Sequence, residues 1–330
     1  MYNIAWMFVL GGIRLRYRTL RLLARQASSV HLVNQYLQPH RAARRELQMD
    51  CRKKFIVEPG AKVQLSKIGA SYTGEHESHE RALPAIQAHV ERMEKLQDLL
   101  YADGGQSLLV VLQGLDAAGK DGVIRHVFSG MNPQGTSVFG FKQPSKEEAA
   151  HDFLWRAHRH TPGKGEVVIF NRSHYEGVLV VRVHNVVPKS VWSKRFDLIN
   201  DFEKLLSQNQ TTILKFFLHI TPEEQLARFK HRLDDASRHW KISESDYSER
   251  ELWTQYLSAY EDAMTLTSTK HAPWYIIPAN HKWFRNFAVS QIIADTMDGM
   301  GLKVPPTRVN LADIRRKYHA AELEDKQHGA

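Results

Sequence analysis

A single cysteine, Cys51, in 330 residues excludes an intrachain disulfide and any metal site built on thiolates. Such thiol poverty predicts a reducing, cytoplasmic setting. Long apolar runs are missing too. The one stretch that invites a membrane reading, Ile4 to Ile13, is about half the length that a bilayer-spanning helix needs and is broken by Gly11 and Gly12. Basic residues follow it instead of preceding it, the wrong order for a secretory signal. There is no internal repeat, no low-complexity tract and no H-E-x-x-H pair of metal-binding histidines among the 18 present. With 42 % hydrophobic and 25 % charged residues the composition excludes disordered and collagen-like classes and suits a chain that buries a large core.

Acidic residues are scarce only at one end. Residues 1–54 hold eleven basic residues and two acids, Glu46 and Asp50, a local balance equal to the net charge of +9 of the whole chain. From residue 55 onward the count is 34 against 34. The high positive charge thus belongs to an N-terminal arm, and nucleic acid is not an expected partner of the body. Residues 1–54 read either as an amphipathic anchor or, over residues 1–48, as a stretch upstream of a start at Met49; no stable membrane span is expected. The main domain is expected at 55–305, followed by a polar tail, 306–330, frayed or used in assembly.

Within the body, residues 55–73 read as an extended entry segment. Glu80 to Tyr101 places Leu83, Ile86, His89, Met93, Leu96 and Leu100 at helical spacing. Ser107 to Gln113 (SLLVVLQ) is apolar on both faces and too short for a helix, as a central parallel strand is. Comparable runs lie at Glu166–Phe170, Thr211–Ile220 and Trp274–Pro278, with a weaker one at Ser137–Phe141. Strands alternating with helices predict an α/β fold with a parallel sheet covered on both faces. Pro222 then opens a polar helical stretch, Glu223 to Met264, interrupted around Asp234–Ser243 and suited to a projecting hairpin.

Directly after the first long strand stands GLDAAGKDG, Gly114 to Gly122, followed by a helical pattern. A G-x-x-x-x-G-K sequence between strand and helix is a phosphate loop: backbone amides turn inward around phosphate oxygens, the helix dipole assists, and the lysine adds a point charge. Gly114, Ala117, Ala118, Gly119, Asp121 and Gly122 are the expected cradle around Lys120. Asp121 stands where such loops usually carry Ser or Thr for magnesium, and Asp116 sits inside the loop. A carboxylate in a phosphate cradle is repelled unless a cation intervenes, which points to Mg²⁺ (or Mn²⁺) on Asp116 with Asp121 beside it. The second strand ends in FNRSHYE, Phe170 to Glu176, where a strand end offers Arg172 to a phosphate and Asn171 in place of the usual acid. Glu176 either returns a negative charge to the site or caps the helix that follows. His76 and His79 are too closely spaced for a metal site, and Gly163-Lys-Gly165 precedes a strand and reads as a turn. Trp240, Trp253 and Tyr256 could stack a base, although packing between lid helices suits their spacing better.

Together these segments resemble the polyphosphate kinase family 2, in particular its class III. The resemblance runs from about Phe55 to Val304 and rests on GLDAAGKDG, on HVFSGMNPQG (126–135), on the block from His151 to His184, on RFKHRLDDASRHWKISESDY (228–247) and on APWYIIPANHKWFRN (272–286). It implies a three-layer α/β/α P-loop kinase fold with a helical lid at about 222–264. It also implies Mg²⁺-dependent transfer of a phosphoryl group between inorganic polyphosphate and AMP or ADP, with guanine nucleotides a further acceptor class, in a homo-oligomer. Asp116, Lys120 and Arg172 are then the catalytic set. Arg125, Lys142 and Arg182 continue a positive track for the polyanion, and Arg228, Arg232 and Lys241 close a lid over it. Asn171 and Glu176 select the acceptor; Gly177 departs from the acid usual in the family. An ATP-dependent nucleotide kinase of the same fold and a non-catalytic polyphosphate-binding protein are the alternative readings.

Overall fold

A computed structural model gives the fold and describes residues 49–74 and 78–328; the arm over residues 1–48 and His76 lie outside the described residues. Its compact body begins at Cys51, not Phe55. Cys51 is fully buried in a one-turn helix, Cys51–Phe55, and its amide donates to Gln291 Oε1 at 2.9 Å, so the last residues counted with the arm belong to the body.

Six strands form one sheet among the described residues: β1 (Ile56–Val57), β2 (Ser107–Gln113), β3 (Thr136–Gly140), β4 (Val167–Asn171), β5 (Thr211–His219) and β6 (Trp274–Pro278), in the order β1-β6-β5-β2-β4-β3. All pairings are parallel except that of β1, a short edge strand that runs antiparallel to β6. The helices of at least seven residues are α1 (His79–Asp103), α2 (Lys120–Val127), α3 (Arg195–Gln208), α4 (Pro222–Asp234), α5 (Ser245–Glu251), α6 (Trp253–Thr267), α7 (Lys282–Gly299) and α8 (Leu311–His328). Leu109, Val111, Phe170 and Ile213 pack on one side of the sheet against α3 and α6. On the other, α7 lies along β5 and β6 and packs on α1 and α2. This is the three-layer α/β/α arrangement, and all seven positions of the central β2 are buried because helices cover both its faces.

Local sequence explains the boundaries. Ser78 Oγ accepts from the Arg81 amide to start α1, and Gly104, in the left-handed region at φ 61°, ends it. The buried stripe of α1 runs through Ala82, Ile86, His89, Val90, Met93, Gln97 and Leu100, whereas Leu83, expected inward, is half exposed. Two expectations change further along. Helix α6 is not part of a lid: Tyr256, Ala259, Tyr260, Ala263 and Met264 are buried in the core, leaving α4, the 3₁₀ turn Ala236–Lys241 and α5 to project. The polar tail is not frayed throughout but forms α8. No helix among the described residues is long and apolar enough to cross a membrane.

A charged cluster sits inside the apolar layer. Lys215, on β5, is fully buried; its Nζ donates to Glu203 Oε2 at 2.6 Å, to Tyr175 Oη at 2.9 Å and to the Thr267 carbonyl at 2.7 Å. Burial pushes the Glu203 carboxyl up, but the Lys215 ammonium and the His174 contact hold it below its usual value. The cluster links β5, α3, α6 and the turn after β4. Removing one partner leaves an uncompensated buried charge, so Lys215→Ala is expected to cost about 3–5 kcal/mol in urea unfolding, and Lys215→Met with Glu203→Leu much less. A carboxylate with a depressed folded pKa contributes stability that is present above its ordinary value of 4.5 and is lost as pH falls through the folded value. The double variant is therefore expected to show a shallower acid limb in stability against pH, read by the same urea series.

Candidate active site

The loop after β2 is shaped by three left-handed residues, Ala117 (φ 60°), Gly119 (φ 101°) and Gly114 (φ 150°). A side chain at Gly114 would approach the Leu218 carbonyl to 2.9 Å, so the strand can leave the sheet there only without a Cβ. Gly119 caps α2, whose first-turn amides at Lys120, Asp121 and Gly122 have no intrahelical acceptor and stand at the positive end of the helix dipole. Lys120 Nζ donates to the carbonyls of Gly114 (2.7 Å) and Leu115 (3.3 Å); burial pulls its pKa down and Asp116 opposes that pull. Ala118 differs from expectation. It is fully buried, its amide donates to the Leu115 carbonyl, and it offers nothing to a phosphate.

Beside the loop, Arg172 follows β4 with φ at 63°, a strained conformation for a non-glycine residue, fixed by its amide donating to the Leu112 carbonyl at 3.0 Å. Its Nη2 donates to Asp116 Oδ1 at 2.9 Å and its Nη1 stands 4.0 Å from Glu176 Oε2. Asn171 Nδ2 donates to Asp121 Oδ1 at 2.9 Å. The two motifs read separately in the sequence are thus joined by two side-chain contacts. Glu176 is not a helix cap: Ser173 Oγ takes that role by accepting from the Tyr175 amide. Instead, Gln113 Nε2 donates to Glu176 Oε1 at 3.1 Å and to Ser173 Oγ at 3.0 Å, while Tyr260 Oη donates to Gln113 Oε1 at 3.1 Å. Burial raises the Glu176 pKa, and Arg172 opposes the rise. Gly177 has a packing reason: a Cβ there would meet Phe153 Cδ2 at 2.4 Å.

These groups open onto a cleft of about 1350 Å³. Of the expected phosphate ligands, Arg125 and Lys142 line it from the α2 and β3 sides, and Arg232 and Lys241 line it from the projecting segment. Arg182 does not. Its guanidinium pairs with Asp262 at 2.7 Å, donates to Ser258 and lies over Trp192, away from the cleft. Arg228 reaches the cleft wall, but its donors are taken: Nε by Glu224, Nη1 by the Ala117 and Ala118 carbonyls, Nη2 by those of Ala279 and Asn280. It is a staple for the loop instead of a phosphate ligand. Trp253 and Tyr256 pack on the core instead of between lid helices, and Trp240 is 78 % exposed at the cleft wall.

Sequence reading passed over Asp246, Lys282 and Arg285, all in the cleft lining. Each lies within a segment that carried the family resemblance, yet nothing in residue type or spacing says which way the side chain turns. Asp246 Oδ2 accepts from Arg232 at 3.0 Å, and burial raises its pKa against the pull of that guanidinium, with Asp116 adding to the rise. No group of three His, Cys, Asp or Glu residues suited to a metal ion occurs among the described residues. Asp116 and Asp121 nonetheless both line the cleft, and magnesium is commonly held by one or two carboxylates with substrate phosphates completing the shell.

Gly119→Ala tests the loop geometry. A Cβ there would lie 1.9 Å from Arg285 Nη1 and 3.1 Å from its Cζ, on a backbone at φ 101°. The variant is expected to lose about 10²-fold or more in affinity for phosphate-bearing ligands, measured by isothermal titration, with a lowered Tm from the strained backbone.

Comparison with known proteins agrees with this geometry. The family model described as Polyphosphate kinase 2 matches residues 75–305. An AMP/ADP-polyphosphate phosphotransferase from Meiothermus ruber is 50 % identical over 254 residues, 77 % of this chain and 95 % of the relative. An ADP-polyphosphate phosphotransferase from Rhodopseudomonas palustris is 45 % identical over 267 residues, 77 % of this chain and 92 % of the relative. The crystal structure of polyphosphate kinase 2 from Arthrobacter aurescens TC1 superimposes with a TM-score of 0.79 at 38 % identity, covering 82 % of this chain and 97 % of that one. A phosphate loop joined to the β4 strand end beneath a basic projecting segment, in a chain this similar over nearly the full length of those relatives, belongs to the polyphosphate kinase 2 family.

Proposed function

We propose that this chain is a phosphotransferase that moves a phosphoryl group between inorganic polyphosphate and AMP or ADP, with guanine nucleotides as a further acceptor class. The observation that carries the reading is the contact of Arg172 with Asp116, which sets a guanidinium at the mouth of the phosphate loop inside a long cationic cleft. That cleft also favours polyphosphate over ATP as donor, since Arg125, Lys142, Lys282 and Arg285 line it with no carboxylate partner among the described residues, a spread of positive charge suited to an extended polyanion.

In the forward direction an oxygen of the acceptor's terminal phosphate forms a bond to the terminal phosphorus of the chain. The bond from that phosphorus to its bridging oxygen breaks, and the shortened chain leaves with the electron pair. The attacking oxygen is already an anion, so no general base is needed, and the protein's task is alignment and neutralisation. Backbone amides of the loop hold the transferring group, Lys120 offsets its charge, and Arg172 clamps it from the neighbouring strand end. The projecting segment carrying Arg232 and Lys241 excludes water, which would otherwise accept the phosphoryl group. Mg²⁺ or Mn²⁺ fits the hard oxygen donors of Asp116 and Asp121 and, when bound, supplies further neutralisation of the phosphate oxygens. Glu176, held by Gln113 and turned towards Arg172, sets how deeply the acceptor seats. Cys51, buried and the single cysteine of the sequence, suits a reducing compartment such as the cytoplasm. Residues 1–48 are an arm that catalysis does not use, and the chain works as a homo-oligomer.

The deciding assay follows ADP formation from AMP with polyphosphate and no ATP, run beside ADP and GDP as acceptors and repeated after chelation of divalent ions. Turnover that requires ATP would overturn the reading in favour of an ordinary nucleotide kinase. Lys120→Ala is expected to lower turnover by about two to three orders of magnitude, the scale seen when a transition-state charge partner is lost. Glu176→Ala is expected to reduce AMP phosphorylation much more than ADP phosphorylation; an equal fall in both would remove its selective role. A chain starting at Met49 is expected to retain solubility and full turnover in the same assay.

A further inference from the structure

Helix α8 lies beyond residues 75–305, the span that the family model matches, and every side chain from Leu311 to Gln327 is exposed apart from the partly covered Asp313. Leu311, Ile314 and Tyr318 are between 45 and 65 % exposed. A helix of 18 residues that packs on nothing is marginal in water, because most helical stability in proteins comes from burying an apolar face. The sequence of α8 supplies such a face. With Leu311 and Tyr318 at heptad position a, Ile314 and Ala321 fall at d, a narrow seam of the coiled-coil kind, and of its large apolar residues only Leu323 falls outside it.

The charges beside the seam say what covers it. Residues 315–319 carry Arg315, Arg316, Lys317 and His319 and no acid, whereas residues 322–325 carry Glu322, Glu324 and Asp325 and no base. In the same heptad frame Arg315 and Glu322 stand at e, Lys317 and Glu324 at g. Two copies of α8 running antiparallel, with Tyr318 of each against the partner's Ala321, bring e to e and g to g. Arg315 then faces the partner's Glu322, and Lys317 faces the partner's Glu324. A two-fold axis repeats both contacts, so four opposite-charge pairs flank one self-complementary seam. A parallel pair would use only Lys317 with Glu322 and would set the two copies of Asp325 against each other at position a. Within the single helix these groups are idle: its ion pairs are Arg316 with Asp313, His319 with Glu322 and Lys326 with Glu322, and none engages Arg315, Lys317 or Glu324 among the described residues.

We infer that α8 is a dimerisation helix that pairs antiparallel with α8 of a second copy of this chain through Leu311, Ile314, Tyr318 and Ala321. This rests on the homo-oligomer proposed above and gives it a surface, and its test needs no turnover. Sedimentation velocity of the full chain reads the pairing. Arg315→Glu with Lys317→Glu, or Glu322→Lys with Glu324→Lys, makes all four flanking contacts repulsive on side chains that the body does not bury. Each double variant is expected to weaken self-association at least about tenfold, and an equimolar mixture of the two to recover it to within about threefold, because the unlike helices are complementary. A second measurement covers an assembly that the body also holds together. On mild oxidation, a mixture of Tyr318→Cys and Ala321→Cys chains is expected to form covalent dimer at least about tenfold faster than a mixture of Ala312→Cys and Ala320→Cys chains, whose thiols face away from the seam. Selective cross-linking upholds the pairing even where the charge variants leave the mass unchanged. An oligomer of unchanged mass with unselective cross-linking would overturn the pairing while leaving the homo-oligomer standing. Dissociation that the mixture does not reverse would overturn it in favour of another occupant, and a wild type that stays monomeric would overturn both.

Discussion

The guanidinium of Arg228 is where the phosphate loop, the root of the projecting segment and the end of β6 meet. Each arm of its fork is used: Nε on Glu224 within α4, Nη1 on two loop carbonyls, Nη2 on two carbonyls after β6. Lysine, with one compact head, could not bridge three elements at once. The neighbouring Gln225 completes the attachment by donating to the Asp116 carbonyl at 2.9 Å, while Arg250 donates to Gln225 Oε1 at 3.0 Å. The loop's backbone conformation, including its left-handed Ala117, thus depends on contacts made from a helix more than a hundred residues later. Further along the same segment, Arg232 on α4 bonds Asp246 on α5 at 3.0 Å between largely buried side chains, whereas the Lys230–Asp234 and Arg238–Asp235 pairs are more exposed and contribute little.

A second dependency runs behind Arg172. Tyr260 on α6 orients Gln113 at the end of β2, and Gln113 orients both Ser173 and Glu176. One residue along, Tyr175 Oη bonds Glu203 and Thr267 and accepts from Lys215. The turn that carries Arg172 is therefore fastened to the core on its inner side, which allows the strained backbone at Arg172 to persist. This also explains why α6 belongs to the core: its Tyr260 holds the floor of the site and cannot travel with a lid.

Much of this was readable beforehand where one physical signal dominates. A strand buried on both faces must be apolar throughout, so SLLVVLQ marked β2 to the residue, and WYIIP marked β6. Gly114 and Gly119 were readable because only glycine fits a close approach or a left-handed turn. What failed to show was direction. Arg182, Arg228 and Arg285 are the same residue type in stretches of similar polarity, yet one pairs at the surface, one staples carbonyls and one waits unpaired beside the loop. The aromatic spacing of Trp253 to Tyr260 fits a lid interface and a core helix equally well, and only the partners across the gap decide. Leu83 turned out half exposed for the related reason that α1 buries its stripe against α7, whose position the local period does not contain.

The charges of the cleft divide in a way that bears on how a polyanion is received. Its three carboxylates are already matched, Asp116 by Arg172, Asp246 by Arg232 and, more loosely at 3.8 Å, Asp121 by Lys241. Those matched pairs lie on the β4 side and under the projecting segment. Of the cleft cations without a carboxylate partner among the described residues, Arg125 on α2 and Lys282 and Arg285 on α7 lie along the other wall, while Lys142, after β3, lies on the β4 side. Such a cleft keeps a net positive field although each of its carboxylates is matched, and a net positive field attracts phosphate-bearing anions from solution.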